Sequence, residues 1–121
     1  MNFVRDTVKE GKIKIGKNTV DLSAKLSKDQ LKAYEGKEVV FGFRPEAIAL
    51  EKAENSYEIK GLVELTELLG DNTNVYMDMD GVKSILKIDP HFTPAVDSKI
   101  SFHIPYESVY LFDGETEKAI K

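Results

Sequence analysis

Val39-Val40-Phe41-Gly42-Phe43, followed at once by Arg44-Pro45-Glu46-Ala47-Ile48, constrains this chain more than any other stretch. An unbroken run of β-branched and aromatic residues reads as a buried strand. Gly42 inside it marks a bulge or a close backbone approach. Pro45 cannot donate to a ladder and pushes the residue before it toward extended geometry, so the strand stops near Arg44. Pro45-Glu46-Ala47 then suits one helical turn, with proline first and an acid near the positive end. Arg44 is thereby held at the rim of a sheet. On the residues alone, an ion pair of Arg44 with Glu46 or a nearby carboxylate outweighs a ligand site, because structural ion pairs collect at such corners.

The rest of the chain supplies further short strands. Arg5 to Val8, Lys12 to Ile15 and Thr19 to Leu22 are separated by turns at Glu10-Gly11 and Gly16-Lys17-Asn18. Lys12-Ile13-Lys14-Ile15 alternates with period two, so one face is wet. Ser27 to Tyr34 reads as a short helix: Ser27 caps it, Gln30 completes a capping box, Leu26 staples it, and Gly36 ends it. Leu31 and Tyr34 then face the core. Glu51 to Ser56 is a polar loop. Tyr57 to Leu69 reads as a long, bulged strand bounded by Gly70-Asp71-Asn72, with a helix over Leu62 to Leu69 as the competing reading.

Asn74 to Ile88 folds on itself, because Asp80-Gly81 between alternating residues calls for a type I′ hairpin. That turn sets Met79, Met77 and Val75 on one face with Val82, Ser84 and Leu86, and matches Asp78 with Lys83 on the other. Asp89 to Pro94 is a stiff connection. Lys99 to Ile104 and Ser108 to Phe112 are the last clear strands, and Glu115 to Lys121 has room for one more. Many short strands, glycine turns and one short helix predict a mainly β, OB-like barrel over residues 1–121 as a single domain.

Several chemistries are missing. There is no cysteine, which removes disulfides and thiolate sites. No Gly-x-x-x-x-Gly-Lys-Ser/Thr loop cradles phosphates, and no Gly-x-Ser-x-Gly elbow is present. Asp78-Met79-Asp80-Gly81 fails as a calcium loop, since its register puts Tyr76 first and Lys87 last. Glu64 and Glu67, three apart on a strand, point to opposite faces. His91 sits in a turn as a surface or packing residue. The exposed-aromatic platform of a nucleic-acid binder would need a basic groove, and the net charge of -4 argues against one. No apolar run reaches the length of a membrane span and no signal peptide opens the chain, so the expected location is cytoplasmic. The residues describe a binding or interaction module with no catalytic centre.

Phe41-Gly42-Phe43-Arg44-Pro45-Glu46-Ala47-Ile48 resembles the "G-[IFV]-R-P-E-x-[IL]" signature in the C-terminal regulatory domain of ATP-binding subunits of sugar-type ABC importers. The resemblance continues in order: Met1-Asn2-Phe3, then Gly61 to Tyr76 against "G-x-V-x-x-x-E-x-L-G-x-x-T-x-[VI]-[YH]", then Tyr110-Leu111-Phe112-Asp113 against a terminal "H-L-F-D" strand. Tyr110 stands where histidine is common, and Asp97 and Glu117 stand where glycine is usual in turns.

This resemblance implies a transport-associated OB-type barrel that holds two ATPase subunits together, as a homodimer, and receives regulatory proteins. It implies an ABC ATPase domain and membrane permease subunits as partners, with no nucleic acid, at the inner face of the cell membrane. It implies no cofactor in this chain, ATP and magnesium belonging to a nucleotide-binding domain that the chain lacks. Arg44 and Glu46 are expected to brace the barrel corner, and Glu67 and Gly70 to lie at a strand end near another subunit or domain. The 121 residues are expected to be an excised C-terminal domain. The alternative is a stand-alone OB-type module for a small ligand or oligosaccharide.

Overall fold

The computed structural model describes residues 1–120. Among them, β1 (Asn2–Thr7), β4 (Glu38–Phe43) and β9 (Tyr110–Asp113) form a three-stranded sheet with β4 in the middle. β2 (Lys12–Ile15) and β3 (Asn18–Asp21) form a hairpin. β5 (Ser56–Leu68), β6 (Thr73–Met79), β7 (Val82–Ile88) and β8 (Lys99–Pro105) form a sheet ordered β7-β6-β5-β8. Every pairing is antiparallel. The helix α1 spans Lys28–Tyr34. The mainly β reading of the sequence is met.

β4 is buried from Val39 through Phe43, as its composition requires. Val39, Phe41 and Phe43 enter the common core with Ile59, Met77, Phe102 and Ile104. Phe41 meets Phe43 and Tyr57 edge-on, with ring centres 6.2 and 5.8 Å apart. Val40 and Gly42 face the other way and are covered from outside. The Phe3 ring lies so close over Gly42 that an added Cβ would sit 3.2 Å from it. Gly42 therefore marks a close approach, and the register with β1 and β9 runs through it unbroken.

Local signals set the smaller elements. Ser27 Oγ accepts from the Gln30 N–H while the Gln30 side chain accepts from the Ser27 N–H, the full capping box. Leu31 and Tyr34 pack against the core, and Gly36 follows the helix at φ 76°. Asp80 and Gly81 take φ 52° and 98°, and the hairpin keeps the register predicted from them, Asp78 opposite Lys83 included. β5 is a strand throughout, so the helical reading of Leu62 to Leu69 fails. It carries a bulge between Val63 and Leu65.

Two expectations are corrected. Pro45-Glu46-Ala47 forms a tight turn, closed by the Ala47 N–H on the Arg44 carbonyl at 3.0 Å, and no helical turn. The chain cannot wind further because Ala49 is drawn into a bridge with His103. The C-terminal segment offers only one bridge, Phe112 with Ala119, and no strand through residue 120. Glu117, at φ 62°, turns the chain back along β9, where the Asp113 N–H donates to the Lys118 carbonyl and the Ile120 N–H to the Leu111 carbonyl, both at 2.8 Å, and Lys121 lies outside the described residues.

Two asparagine side chains help close the barrel. Asn2 on β1 donates from Nδ2 to the Ile85 carbonyl and accepts the Ile85 N–H, both at 2.8 Å. Asn18 on β3 does the same for Lys60 on β5, accepting its N–H at 2.8 Å and donating to its carbonyl at 2.9 Å. Each amide stands in for a neighbouring strand and satisfies an edge that the sheets leave open. Asn18→Ala is expected to lower stability by about 1–3 kcal/mol, because it strands the Lys60 backbone pair and removes three bonds, the third being from Nδ2 to the Ile15 carbonyl at 2.9 Å. A urea titration of the variant checks this.

Candidate interaction surfaces

The corner after β4 is held by its backbone. Besides the Arg44–Ala47 bond, the Lys87 N–H donates to the Pro45 carbonyl at 2.8 Å and ties the corner to β7. The expected Arg44–Glu46 ion pair is not formed. The Arg44 guanidinium lies 6.0 Å from the centre of the Tyr110 ring instead, at the reach of a cation–π contact. Glu46 is exposed and has no ion-pair partner among the described residues.

Glu67 lies near the end of β5 and Gly70 in the turn beyond it. Gly70 takes φ 88° with open space where a Cβ would stand, so its role there is to let the chain reverse. The bulge corrects the facing of the acids. One inserted residue restores parity, so Glu64 and Glu67 both serve the outer face of the sheet. Glu64 Oε1 accepts from Lys83 Nζ at 2.8 Å, and Lys83 also reaches Asp78 at 3.4 Å. Glu67 Oε1 lies 3.4 Å from both the Tyr76 hydroxyl and Asn74 Nδ2. Strand spacing alone could not show this, because the sequence points to a bulged strand without fixing which residue is inserted.

The β5–β6 ribbon extends beyond the end of β8, whose pairing with β5 stops at Leu62. At its tip Leu68 and Leu69 are 70% and 47% exposed, and in the loop before β8 Phe92 and Val96 are 70% and 46% exposed. These elements share one end of the barrel. Leu68 pairs with Thr73, whose hydroxyl accepts from Thr93 beside Phe92, and the Asp97 N–H reaches the Val63 carbonyl. Asp89 caps the turn Pro90–Phe92 and so presents Phe92 outward. Grouped exposed apolar side chains mark contact surfaces. The sequence reading named Glu67 and Gly70 here but not Phe92 or Val96. Their one available signal was apolar residues among prolines in a connection.

Three aspartates sit below the usual carboxylate range. Backbone N–H groups of Thr116 and Glu115 hold Asp113 down, with the Tyr34 hydroxyl adding to this, while Ser23 does so for Asp21 and His91 for Asp89. In each case hydrogen bonds favour the charged form. Between the folded and ordinary values the unfolded chain binds more protons, so stability rises with pH there. Stability is expected to be level above the ordinary value of 3.8 and to fall as pH drops below it. Thermal melts from pH 7 to 2 test this, and Asp113→Asn should flatten part of the acid limb.

The chain matches the MalK OB fold domain over residues 1–48 and the TOBE domain over residues 41–112. The oligosaccharides import ATP-binding protein MsmX of Bacillus subtilis is 32% identical across the whole chain, which covers 34% of that protein. The multiple sugar-binding transport ATP-binding protein MsmK of Streptococcus mutans is 27% identical, again across the whole chain and 34% of the relative. A molybdate-bound crystal structure of the cytoplasmic molybdate-binding protein ModG has TM-score 0.67 at 19% identity, over 91% of this chain and 94% of that one, a likeness of fold alone.

This chain belongs to the TOBE domain family, in the form found as the C-terminal domain of sugar ABC importer ATP-binding proteins. It spans about a third of the length of those relatives. No helix among the described residues is long and apolar enough to cross a membrane.

Proposed function

We propose that this domain is the regulatory and dimerisation part of an importer ATPase, joining two ATPase subunits while their nucleotide-binding domains open and close. The observation that carries the reading is the apolar end formed by Leu68, Leu69, Phe92 and Val96 beside Glu67 and Gly70, on a domain aligned throughout with importer ATP-binding proteins. A standing contact between two such ends raises the effective concentration of one ATPase domain for the other. Regulators then act by biasing that pair, and permease subunits are reached through the ATPase domains, at the inner face of the membrane.

ATP and magnesium do not fit this chain. It has no phosphate-cradling loop, and among the described residues no three His, Cys, Asp or Glu side chains are grouped to hold a metal ion. The reading therefore assigns them to the nucleotide-binding domain of a full-length ATPase.

Leu68→Asp with Phe92→Asp is expected to weaken self-association at least about tenfold, since two exposed apolar anchors become charges in the contact. Monomer stability should change by less than about 1 kcal/mol, because both side chains are mostly in water already. Sedimentation equilibrium reads the first and urea melts the second. Unchanged self-association would remove this end from the interface, and Glu67→Ala tests the neighbouring acid in the same way.

A further inference from the structure

A second surface is open in a different sense, through its backbone. Ala49 exchanges two hydrogen bonds with His103 on β8, N–H to carbonyl at 2.9 Å and the reverse at 2.7 Å. In an extended segment the neighbours of such a residue point their polar groups the other way. Ile48 and Leu50 accordingly have no backbone hydrogen bond among the described residues. They form one bank of a groove of about 750 Å³, whose other bank is the end of β7 and the Pro90–Phe92 turn. The two banks are joined at one end by the Lys87–Pro45 bond and then diverge.

Ile48, Leu50, Ile88 and Phe92 give the groove an apolar lining, while Glu46, Glu51 and Asp89 stand along it against one cation, Lys87. Glu46 and Glu51 have no ion-pair partner among the described residues. Unpaired backbone groups on either side of the single Ala49–His103 bridge, apolar side chains at Ile48 and Leu50 and a carboxylate rim together specify their complement. We propose that this groove takes an extended segment of a partner protein in which lysine or arginine alternates with apolar residues, added as a strand against Ile48 and Leu50. Its main chain supplies the hydrogen bonds missing from those two residues. Its apolar side chains meet Leu50 and Phe92, and its cations meet Glu46 and Glu51. Its contact with Phe92 needs the apolar end to be free, whereas its bonds to Ile48 and Leu50 lie outside that end, so the response of those two residues tests the inference separately from dimerisation.

The test titrates the isotope-labelled 121-residue chain with a Lys-Leu-Lys-Val-Lys-Leu peptide and, in parallel, with its Glu-for-Lys twin. The expected result is amide shifts at Ile48, Leu50 and Phe92 with the basic peptide alone, and slowed hydrogen exchange at Ile48 and Leu50. Glu46→Lys with Glu51→Lys should weaken binding about tenfold, in a salt-dependent manner. Leu50→Pro, which removes an N–H that no internal group uses, should weaken it further. Equal binding of the acidic peptide, shifts confined to other surfaces, peptide-independent pairing of two copies through this groove, or no shift at millimolar peptide would each overturn the proposal.

Discussion

Gly16→Ala is expected to lose about 3–5 kcal/mol of stability, enough to unfold much of a marginally stable domain at room temperature. Gly16 takes φ 65°, a conformation that costs an alanine about 1–2 kcal/mol on its own. The larger part comes from space. A Cβ at this position would lie 2.1 Å from the Met79 carbonyl oxygen and 2.7 Å from its carbon. That neighbour is backbone at the end of β6 and cannot swing aside. Relief requires the β2–β3 hairpin to lift, which also pulls Asn18 from Lys60 and the Lys17 N–H from the Asp80 carboxylate. Gly81→Ala is the control: its φ is 98° but nothing lies within 4 Å, so only the conformational part should appear. Urea midpoints for the two variants separate the terms, and equal losses would contradict the close approach.

Phe41→Ala is expected to cost about 3–5 kcal/mol. The ring has no solvent exposure and sits between Phe43 and Tyr57, so its loss leaves a cavity in the middle of the central strand. The walls belong to paired strands and relax little. Phe3 belongs to the same sheet but faces outward at 58% exposure, edge-on to Phe112 at 6.2 Å. Phe3→Ala should cost about 1 kcal/mol or less, since much of its surface is in water in the folded state already. Urea melts that ranked the two alike would mean that β4 does not present Phe41 inward.

Features written in adjacent residues were legible from the chain alone. Asp80-Gly81 with its alternating flanks gave the β6–β7 register, Ser27 with Gln30 gave the start of α1, and Pro45 gave the end of β4. Asp97 and Glu117, read as standing at glycine turns, indeed take φ 68° and 62°. Features that join distant segments were not legible. Nothing near Asn2 or Asn18 announces that their amides will close edges at Ile85 and Lys60, since both look like turn or strand-end polar residues. The bulge in β5 brings Glu64 and Glu67 to one face where an even strand would oppose them, and its position at Glu64 shows only in the pairing with β6. The Arg44–Glu46 pair was the natural local expectation, but Tyr110, brought alongside by the β4–β9 pairing, takes the guanidinium instead.

The central claim is that this domain works as part of an importer ATPase. An antibody against it, used on soluble and membrane fractions of the source cell, tests that claim directly by apparent mass. The account predicts a membrane-associated band far heavier than 13.6 kDa. A soluble band at 13.6 kDa, with none at higher mass, would contradict it and leave a free-standing OB-type binding module in its place.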